Sequence, residues 1–487
     1  MRPQTRLHSS KPRPLSFSLS RLSSAAAVAA ALVAASGVYA PSAAKAGDWI
    51  PTVGGGWSLA ANWTTIPGGA GDTANFNAAI AAASTVTLDG DRILGTINIS
   101  PSAALGAYTL AGNNGGFLIL DNGGSTAAIN FLGIAQFANI IHAPIVLNDN
   151  LEISSNIAGG QTFAGNITGV AKSIAIDSNG AHPAATTNTL GDIVFRGINS
   201  YTGGTTVSEA RLQAYHGYSL GTGAVTITNG GGIYMPSGGN WSNTFNLTGL
   251  GWNEATGLLG ALRVDGNSVF TGTINIVNTV PAPTVRINAH VASTSIFNGV
   301  IAGGAADAMD FTTSAAVTSN FIINNTNTNT GTTRIGRATA AVGTTNVQIG
   351  NNNTSGALGS GDVMLDAGGV LLFNRTDSIN FANAIVAGTG VITQSGIGTT
   401  TLTNASILST GGFNASGLNG RLVFNPGGTG GALTLGVIAG ISTLTNYADI
   451  EFNSSSNVTL GGAINGARGT YLIQERHRSH HPERNGG

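Results

Sequence analysis

A block of sequence that occurs twice constrains the fold of this chain more than any other feature. The copies lie at residues 197–232 and 326–404. Thr202-Gly-Gly-Thr-Thr-Val207 corresponds to Asn329-Thr-Gly-Thr-Thr-Arg-Ile335, and Ser219-Leu-Gly-Thr-Gly223 corresponds to Ala357-Leu-Gly-Ser-Gly361. Additional residues fall between the matching stretches, where loops can accommodate them. Such repetition is typical of a stacked, quasi-one-dimensional fold.

A second recurring stretch supports stacking. Phe163-Ala-Gly-Asn-Ile-Thr-Gly169 matches Phe297-Asn-Gly-Val-Ile-Ala-Gly303, and weaker relatives begin at Phe270, Phe381 and Leu460. In each, an aromatic or aliphatic residue and a later Ile fall on one face of a period-two strand, and Gly ends the strand. We therefore predict that Phe163, Phe297 and Phe381 point inward.

Short alternating strands between Gly and Asn clusters run from residue 86 onward, for example at residues 86–88, 97–99, 117–120 and 145–147. No stretch after residue 46 has a sustained helical period. Two all-β architectures fit this pattern: a parallel β-helix or a set of antiparallel sandwiches. The repetition of the same stretches along the chain favours the β-helix.

Composition agrees with stacked strands. The 487 residues include 72 Gly, no Cys and only 8% charged residues, and 42% are hydrophobic, which is enough for a large core. Equivalent side chains of successive turns lie about 4.8 Å apart. At that spacing like charges repel, whereas Asn and Thr can form hydrogen-bonded ladders.

The net charge of −1 conceals an uneven distribution. Residues 1–46 hold six of the 20 basic residues and no acidic ones, and residues 468–487 hold four basic and two of the 21 acidic residues. Residues 47–467 therefore keep 10 basic and 19 acidic residues. Because nucleic-acid binding needs a basic face, we expect no nucleic-acid partner.

Residues 1–46 have the features of a secretory signal peptide. A basic segment precedes an apolar, Ala-rich segment from Leu22 to Val38, and Ala44-Lys45-Ala46 forms an A-x-A cleavage site. Val38-Tyr39-Ala40 is a poorer site because Pro41 follows it. We predict a mature chain that begins at Gly47 and is exported by the general secretory machinery. The absence of Cys is consistent with passage through an oxidising periplasm.

Residues 47–85 contain three of the five Trp residues, Trp49, Trp57 and Trp63. Large aromatic side chains can close the open end of a solenoid, so we interpret this segment as an N-terminal cap. A carbohydrate-stacking platform is the alternative.

Three stretches carry a family resemblance: Tyr201-Thr-Gly-Gly-Thr-Thr-Val207, Ala357-Leu-Gly-Ser-Gly361 and Leu372-Phe-Asn-Arg-Thr-Asp-Ser378. They resemble the autotransporter-associated β-strand repeat of bacterial passenger regions. The resemblance implies a right-handed parallel β-helix with about 20–25 residues per turn, hence about 17–21 turns over residues 47–466. It also implies export through an outer-membrane translocator, which we expect not to be encoded in this chain. It brings no catalytic residues.

Two motifs resemble known functional sites, one catalytic and one calcium-binding, and each also has a purely structural interpretation. Gly217-Tyr-Ser-Leu-Gly221 matches the nucleophile elbow G-x-S-x-G, but that elbow needs a following helix, and here another strand is predicted. The second copy has Ala357 where the first has Ser219. Gly68-Gly-Ala-Gly-Asp72 approaches a calcium-binding repeat but occurs once, and its Asp comes one residue early. We interpret both as structural.

The remaining candidates are carboxylates and histidines. Near pairs of carboxylates occur at Asp89 and Asp91, Asp307 and Asp310, and Asp362 and Asp366. Such pairs suit general acid–base catalysis or calcium binding, but Asp also commonly flanks turns, which we favour. The histidines are too isolated for a metal site: His142, His182, His216 and His290.

Residues 468–487 depart from the repeat pattern. They contain four Arg and almost no apolar residues after Ile473. We predict a disordered basic tail that adds no turn and derives from truncation or a frameshift. An uncapped last turn would expose a strand edge, which predicts a periplasmic or self-associating product.

The sequence thus predicts a signal peptide (1–46), a Trp-rich cap (47–85), a β-helix (86–467) and a tail (468–487). We expect a secreted or cell-surface, non-enzymatic stalk or adhesin without catalytic, cofactor or metal sites. Its expected ligand is an extracellular polysaccharide or a neighbouring cell surface. The alternative is a β-helical protein that binds or degrades polysaccharide.

Overall fold

The computed structural model describes most of the chain. The described residues are 43–102, 106–112, 115–133, 137–157, 159–178, 192–254, 256–278, 284–337, 343–404, 406–407, 413–415, 420–425, 433–435, 449–452, 458–460 and 472–474. The chain divides into two compact units, Met1–Ala44 and Lys45–Gly487. The predicted signal segment lies outside the described residues up to residue 42. The second unit is a β-solenoid.

The described part of the solenoid consists mainly of short strands, and a 3₁₀ turn lies at Ala60–Asn62. In chain order the strands are β1 (Ala46–Asp48), β2 (Gly55–Gly56), β3 (Thr73–Phe76), β4 (Ser84–Thr87), β5 (Arg92–Leu94), β6 (Thr96–Ile99), β7 (Tyr108–Ala111), β8 (Leu118–Leu120), β9 (Ala127–Phe131), β10 (Ile140–Ile141), β11 (Ile145–Leu147), β12 (Leu151–Ser155), β13 (Gln161–Phe163), β14 (Ile167–Thr168), β15 (Ile174–Asp177), β16 (Asp192–Phe195), β17 (Thr205–Ser208), β18 (Arg211–Ala214), β19 (Val225–Thr228), β20 (Gly232–Met235), β21 (Gly239–Trp241), β22 (Phe245–Leu247) and β23 (Asn253–Glu254). They continue with β24 (Gly257–Leu258), β25 (Leu262–Val264), β26 (Ser268–Phe270), β27 (Ile274–Ile276), β28 (Val285–Ala289), β29 (Thr294–Phe297), β30 (Ile301–Ala302), β31 (Met309–Thr313), β32 (Thr318–Ile323), β33 (Thr333–Ile335), β34 (Thr344–Asn353), β35 (Val363–Leu365), β36 (Gly369–Arg375), β37 (Ile379–Phe381), β38 (Ile385–Ala387), β39 (Val391–Gln394), β40 (Thr399–Leu402), β41 (Phe413–Ala415), β42 (Arg421–Phe424), β43 (Leu433–Leu435), β44 (Asp449–Phe452), β45 (Val458–Leu460) and β46 (Leu472–Gln474).

Apart from the antiparallel pair β23–β24, these strands form parallel sheets in which each neighbour comes from the next turn of the chain. One sheet has 14 strands, from β2 to β38, and a second has 11, from β1 to β30. The third side of the coil carries a four-stranded sheet, β5 to β14, and then an eight-stranded sheet, β21 to β41. A five-stranded sheet, β37 to β46, and the pair β43–β45 follow toward the C-terminus. The parallel solenoid expected from the repeats is confirmed.

The longest sheet contains 14 strands, one for each turn between residues 55 and 387, and the five-stranded sheet adds further turns through β40, β42, β44 and β46. The length of a turn varies more than the 20–25 residues that the resemblance implies. Ile97 pairs with Ile129, 32 residues later, whereas Val207 pairs with Ile227, 20 residues later. Loops at the corners absorb the difference in length.

Side chains at alternate strand positions stack inward to form one continuous core. Along the 11-stranded sheet the inward row includes Ile97, Ile129, Ile153, Ile176, Val207 and Ile227, all buried. Phe163, Phe297 and Phe381 are also buried, at 1%, 0% and 6% exposure, as predicted.

Asparagine ladders run along the outside of the strands, as the composition predicts. The Nδ2 group of Asn130 donates to Oδ1 of Asn98, and that of Asn98 donates to Oδ1 of Asn75, both at 2.9 Å. Asn75 donates in turn to Asp48 at 2.9 Å. The amides of Asn75 and Asn98 both donate and accept, so the ladder satisfies side chains that would otherwise compete with the sheet for backbone partners.

The N-terminal cap closes the first turn with buried tryptophans. Trp49, Trp57 and Trp63 are at most 3% exposed, and the rings of Trp57 and Trp63 lie 4.7 Å apart. Trp49 and Trp63 form an antiparallel bridge, so the segment around Trp63 folds back along the edge of β1. This pairing covers a strand edge that would otherwise be open to another chain. Because the rings are buried, the alternative of a sugar-stacking platform at these tryptophans is wrong.

The boundary predicted for the C-terminal tail needs correction. Leu472–Gln474 form β46, which pairs in parallel with β44. A disordered segment therefore cannot begin at residue 468. Leu472 and Ile473 precede the Arg- and His-rich run and supply the apolar positions that a strand needs. The rest of the predicted tail lies outside the described residues.

A substitution at Phe297 tests how strongly the stacked aromatic core stabilises the solenoid. Its ring stacks on Phe270 at 5.1 Å and contacts Phe311 at 5.9 Å. We expect Phe297→Ala to lower the free energy of unfolding by about 3–5 kcal/mol, because the cavity lies inside a rigid stack. In a solenoid the loss should appear first as faster hydrogen exchange in the adjacent strands β26, β29 and β32. Uniform exchange changes along the whole chain would contradict this expectation.

Candidate functional site

The two repeat copies use the same side-chain contacts, which defines the structural unit. Oδ1 of Asn199 accepts from the backbone of Ile167 at 2.8 Å, and Oδ1 of Asn327 accepts from Ile301 at 2.9 Å. At the end of each unit another amide bridges two glycine carbonyls. Asn243 donates to Gly221 and Gly223, and Asn383 donates to Gly359 and Gly361.

Each copy replaces strands on one side of the coil with two irregular segments. In the first copy, residues 196–204 and 215–224 follow strands of the 14-stranded sheet and interrupt the third side. In the second copy, residues 324–332 and 354–362 precede strands of that sheet and interrupt the side between β30 and β37. The unit has therefore shifted by one side of the coil between its copies.

Ser219 lies in the first interruption and is fully buried. Its Oγ accepts from the backbone N–H of His216 at 3.2 Å, and its own N–H donates to the His216 carbonyl at 2.8 Å. The next element is strand β19, not a helix. These contacts describe a closed turn rather than an exposed nucleophile elbow.

We expect Ser219→Ala to leave any activity of the purified protein unchanged, because the hydroxyl closes a turn and faces no solvent. The free energy of unfolding should fall by about 1 kcal/mol at most, through one lost hydrogen bond. A fluorophosphonate probe should not label the wild-type chain. Labelling at Ser219 would contradict the structural interpretation.

Asp72, the carboxylate of the stretch that approaches a calcium-binding repeat, accepts hydrogen bonds from backbone N–H groups. Its Oδ2 accepts from Gly68 and Gly69 at 2.9 Å each, and its Oδ1 accepts from the N–H of Lys45 at 2.7 Å. Its oxygens are thus committed to N–H donors. No group of three or more acidic or histidine side chains suited to a metal ion occurs in the described part of the chain.

The carboxylate pairs proposed from sequence do not converge. Asp89 pairs with Arg92 and accepts from Ser58, while Asp91 accepts from the backbone of Phe117 at 3.0 Å. Hydrogen bonds from Ser58 and Arg92 outweigh the effect of burial and lower the pKa of Asp89. Both acids flank the bend between β4 and β5, as turn residues do.

The other two pairs also separate. Asp307 accepts from the backbone of Gly304 and Asn278, whereas Asp310 lies in β31 and binds arginine. Asp362 is exposed before β35, and Asp366 pairs with Arg334 at 3.1 Å.

The histidines are likewise separate. His142 is exposed, His290 contacts Ser314 through Nδ1 at 2.9 Å, and His182 lies outside the described residues. His216 contacts the Arg196 carbonyl at 2.9 Å through Nε2. Because a carbonyl oxygen only accepts, the His216 ring carries its proton on Nε2.

A run of ion pairs on the outside of the 14-stranded sheet was not predicted. Arg211 binds Asp192 of the preceding strand and Glu254, at 2.8 Å to the latter. Glu254 also binds Arg263 at 2.8 Å, and Arg263 binds Asp265 at 2.6 Å. The signs alternate along the run, so the charges attract where a ladder of like charges would repel.

A second run continues the pattern farther along the same sheet. Arg286 binds Asp310 at 3.1 Å, and Arg334 lies 3.8 Å from Asp310 and 3.1 Å from Asp366. Burial raises the pKa of the Asp310 carboxyl, and the two arginines oppose that effect only in part. Sequence reasoning missed both runs because pairs such as Asp192 and Arg211, or Arg286 and Asp310, lie on successive turns and meet only through register.

Glu254 belongs to an antiparallel hairpin, β23–β24, that folds over the sheet. Arg211 and Arg263 hold its carboxylate, and Arg286 donates to the Leu258 carbonyl at 3.0 Å. Burial disfavours the charged form of Arg211, but Asp192 and Glu254 outweigh it and raise the pKa of the guanidinium. The ion pairs therefore fasten an insertion to the coil.

We expect Arg263→Leu to destabilise the protein by about 3 kcal/mol, because Glu254 and the buried Asp265 would lose their shared cation. The matched control is Lys172→Gln, which removes a single long contact to Asp149 at 3.9 Å. That change should cost less than about 1 kcal/mol. Denaturant unfolding of both variants measures the difference, and equal costs would show that the hairpin does not depend on Arg263.

The outer surface of the first interruption differs in character from the rest of the coil. It comprises Arg196, Ile198, Tyr215, His216 and Tyr218, here called the Tyr218 surface. Tyr218 is 69% exposed and Ile198 is 60% exposed. The Arg196 guanidinium lies 3.8 Å from the centre of the Tyr215 ring, and the rings of His216 and Tyr218 are 6.3 Å apart.

The backbone beneath the Tyr218 surface is held in place by hydrogen bonds. Asn199 donates through its N–H to the Tyr218 carbonyl at 2.9 Å and through Nδ2 to the Ser219 carbonyl at 2.6 Å. Ile198 donates to Oδ1 of Asn166 at 2.8 Å. Exposed side chains on such a fixed backbone lose little conformational freedom on binding.

The second interruption contains a shallow hollow of about 560 Å³. Its walls include Thr326, Ser360, Asn380 and Phe381. The only long cation among its lining residues, Arg375, is already bound to Asp377 at 2.6 Å. This hollow offers amide and hydroxyl groups but no free charge.

No protein-family model, curated protein or solved structure matches this chain. Among the described residues, no helix is both long and apolar enough to span a membrane. The candidate site therefore rests on geometry alone, and the Tyr218 surface is the strongest candidate.

Proposed function

We propose that this chain is an exported, non-enzymatic β-solenoid that acts as a stalk or adhesin at the cell surface or outside the cell. One observation carries the proposal. The Tyr218 surface presents exposed aromatic and basic side chains on a rigid scaffold, whereas Ser219, the carboxylate pairs and the histidines, which were weighed as candidates for catalysis or metal binding, are buried, separated or bound to structural partners. The repeat stretches support a relationship to autotransporter passenger regions, and the signal-like N-terminus supports export.

The proposed processing has a structural consequence. Cleavage after Ala46 would cut β1 and remove the Lys45 backbone, which donates to Asp72 and accepts from Thr73 at 2.7 Å. Cleavage after Ala40, the site disfavoured by Pro41, would keep β1 whole.

Export is tested in a bacterial host that produces the full chain with an internal epitope. We expect the protein in the medium, at the protease-accessible surface or in the periplasm, with a mature N-terminus at Gly47 or Pro41. Mass spectrometry of the N-terminal peptide distinguishes the two. Retention in the cytoplasm with an intact N-terminus would contradict the proposal, and a chain without residues 1–46 is the matched negative control.

An enzyme that degrades polysaccharide is the alternative proposal. The observation that favours it is the concentration of arginine and carboxylate groups beside Tyr234, whose ring lies 4.2 Å from the Arg263 guanidinium. Release of unsaturated uronic acid from pectin or alginate by the purified protein, with and without calcium, would support it. Loss of that release in Tyr234→Phe would locate the activity.

A further inference from the structure

Arg196 is unusual among the basic residues of the solenoid. Eight of the others form ion pairs: Arg92, Lys172, Arg211, Arg263, Arg286, Arg334, Arg375 and Arg421. Within the described part of the chain, Arg196 has no carboxylate partner and packs instead against the Tyr215 ring. Its guanidinium is exposed and keeps its hydrogen-bond donors for a ligand.

The second repeat copy shows that the fold does not require these side chains. The backbone of Arg196 donates to Phe163 at 2.9 Å, and the backbone of Asn324 makes the equivalent bond to Phe297 at 3.0 Å. Counting from this pair, Thr326 occupies the place of Ile198.

The backbone N–H of Asn199 donates to the Tyr218 carbonyl at 2.9 Å, and the backbone N–H of Asn327 donates to the Ala357 carbonyl at 3.1 Å. By this contact Ala357 stands where the first copy has Tyr218, although the sequences align Ala357 with Ser219. The corner contact therefore forms in this molecule without the basic and aromatic side chains. It does not account for Arg196 and Tyr218, which we assign to recognition.

We propose that the Tyr218 surface binds an anionic polysaccharide, which deepens and rests on the proposed adhesive function. The exposed Tyr218 ring offers an apolar face for the C–H side of a pyranose. The Arg196 guanidinium offers a planar pair of donors to a carboxylate or sulfate on the sugar.

The spacing suits one chain of sugars running across the surface. Arg196 and Ile198 are both exposed and flank the buried Gly197, so both side chains lie on the outer side of the coil. Tyr218 lies on the next turn beside Ile198, because Asn199 donates to the Tyr218 carbonyl. The cation thus lies to one side of an aromatic–aliphatic platform, and Tyr215 orients it by a cation–π contact.

The solenoid as a whole is acidic, which limits how such a ligand binds. At physiological ionic strength, charges more than about 8 Å away are largely screened, so the local arginine dominates. Recognition by shape and one bidentate contact should therefore persist at moderate salt. It should weaken when salt is lowered, because the repulsion of the acidic body then extends farther.

Affinity electrophoresis of the purified full chain tests the proposal with three polymers: polygalacturonate, dextran sulfate and neutral dextran. We expect retardation by one or both anionic polymers and none by dextran. The two anionic polymers distinguish a carboxylate from a sulfate ligand. Tyr218→Ala and Arg196→Gln should each weaken binding about tenfold. Ile397→Ala, which removes another exposed aliphatic side chain, should not change it.

Unretarded migration of the wild type in both anionic polymers would overturn the proposal, and so would equal retardation of wild type and both variants. Equal retardation by neutral dextran would show that charge plays no part. Circular dichroism confirms that each variant keeps the β-solenoid. The export experiment is independent of these outcomes: an exported protein that ignores anionic polymers retains its proposed function and loses only this ligand.

Discussion

Parallel stacking in register is the interaction on which the rest of this structure depends. Each strand lies directly on the equivalent strand of the previous turn, so every side chain meets a side chain of the same position about 4.8 Å away. Inside the coil this produces rows of Ile, Val and Phe. Outside it selects residues that tolerate close neighbours of their own kind, and the Asn75–Asn98–Asn130 ladder is a direct result.

The same constraint explains why charge is scarce and how it is placed. A charged residue on an outward row faces the residue of the same row in the turns before and after it. Where the sheet carries charge, the signs therefore alternate, as in Arg286, Asp310 and Arg334, which are register partners. The hairpin around Glu254 uses the same arrangement to attach an insertion without disturbing the stack.

A parallel solenoid is also vulnerable at its ends, where a strand has only one neighbour. At the N-terminus the chain solves this by turning back, so that Trp63 pairs with Trp49 in the antiparallel sense. The tryptophan rings fill the space that a preceding turn would occupy. Pairing and filling together protect the edge of β1 from another chain.

The architecture and the inward phenylalanines were predictable because they depend on local periodicity and on the repetition of short stretches. The length of each turn was not predictable, because corner loops vary in length without changing the strands. The ion-pair runs and the Tyr218 surface could not be predicted from the sequence, for a different reason. Each joins residues such as Asp192 and Arg211 or Ile198 and Tyr218, which are 19 to 20 positions apart and meet only once the register is known.

The shift of the repeat by one side of the coil shows which part of the unit is under structural constraint. Asn199 and Asn327 make the same contact although they lie at different places in the turn. The unit therefore needs only a strand, an asparagine-held corner and another strand, and the sides of the coil are interchangeable. The buried amide holds the corner from inside the coil. The outward side chains of the corner are therefore not needed to stabilise its backbone. The same backbone contact carries Tyr218 in one copy and Ala357 in the other. The corners are therefore the places where a solenoid of this kind can acquire a binding surface without loss of stability.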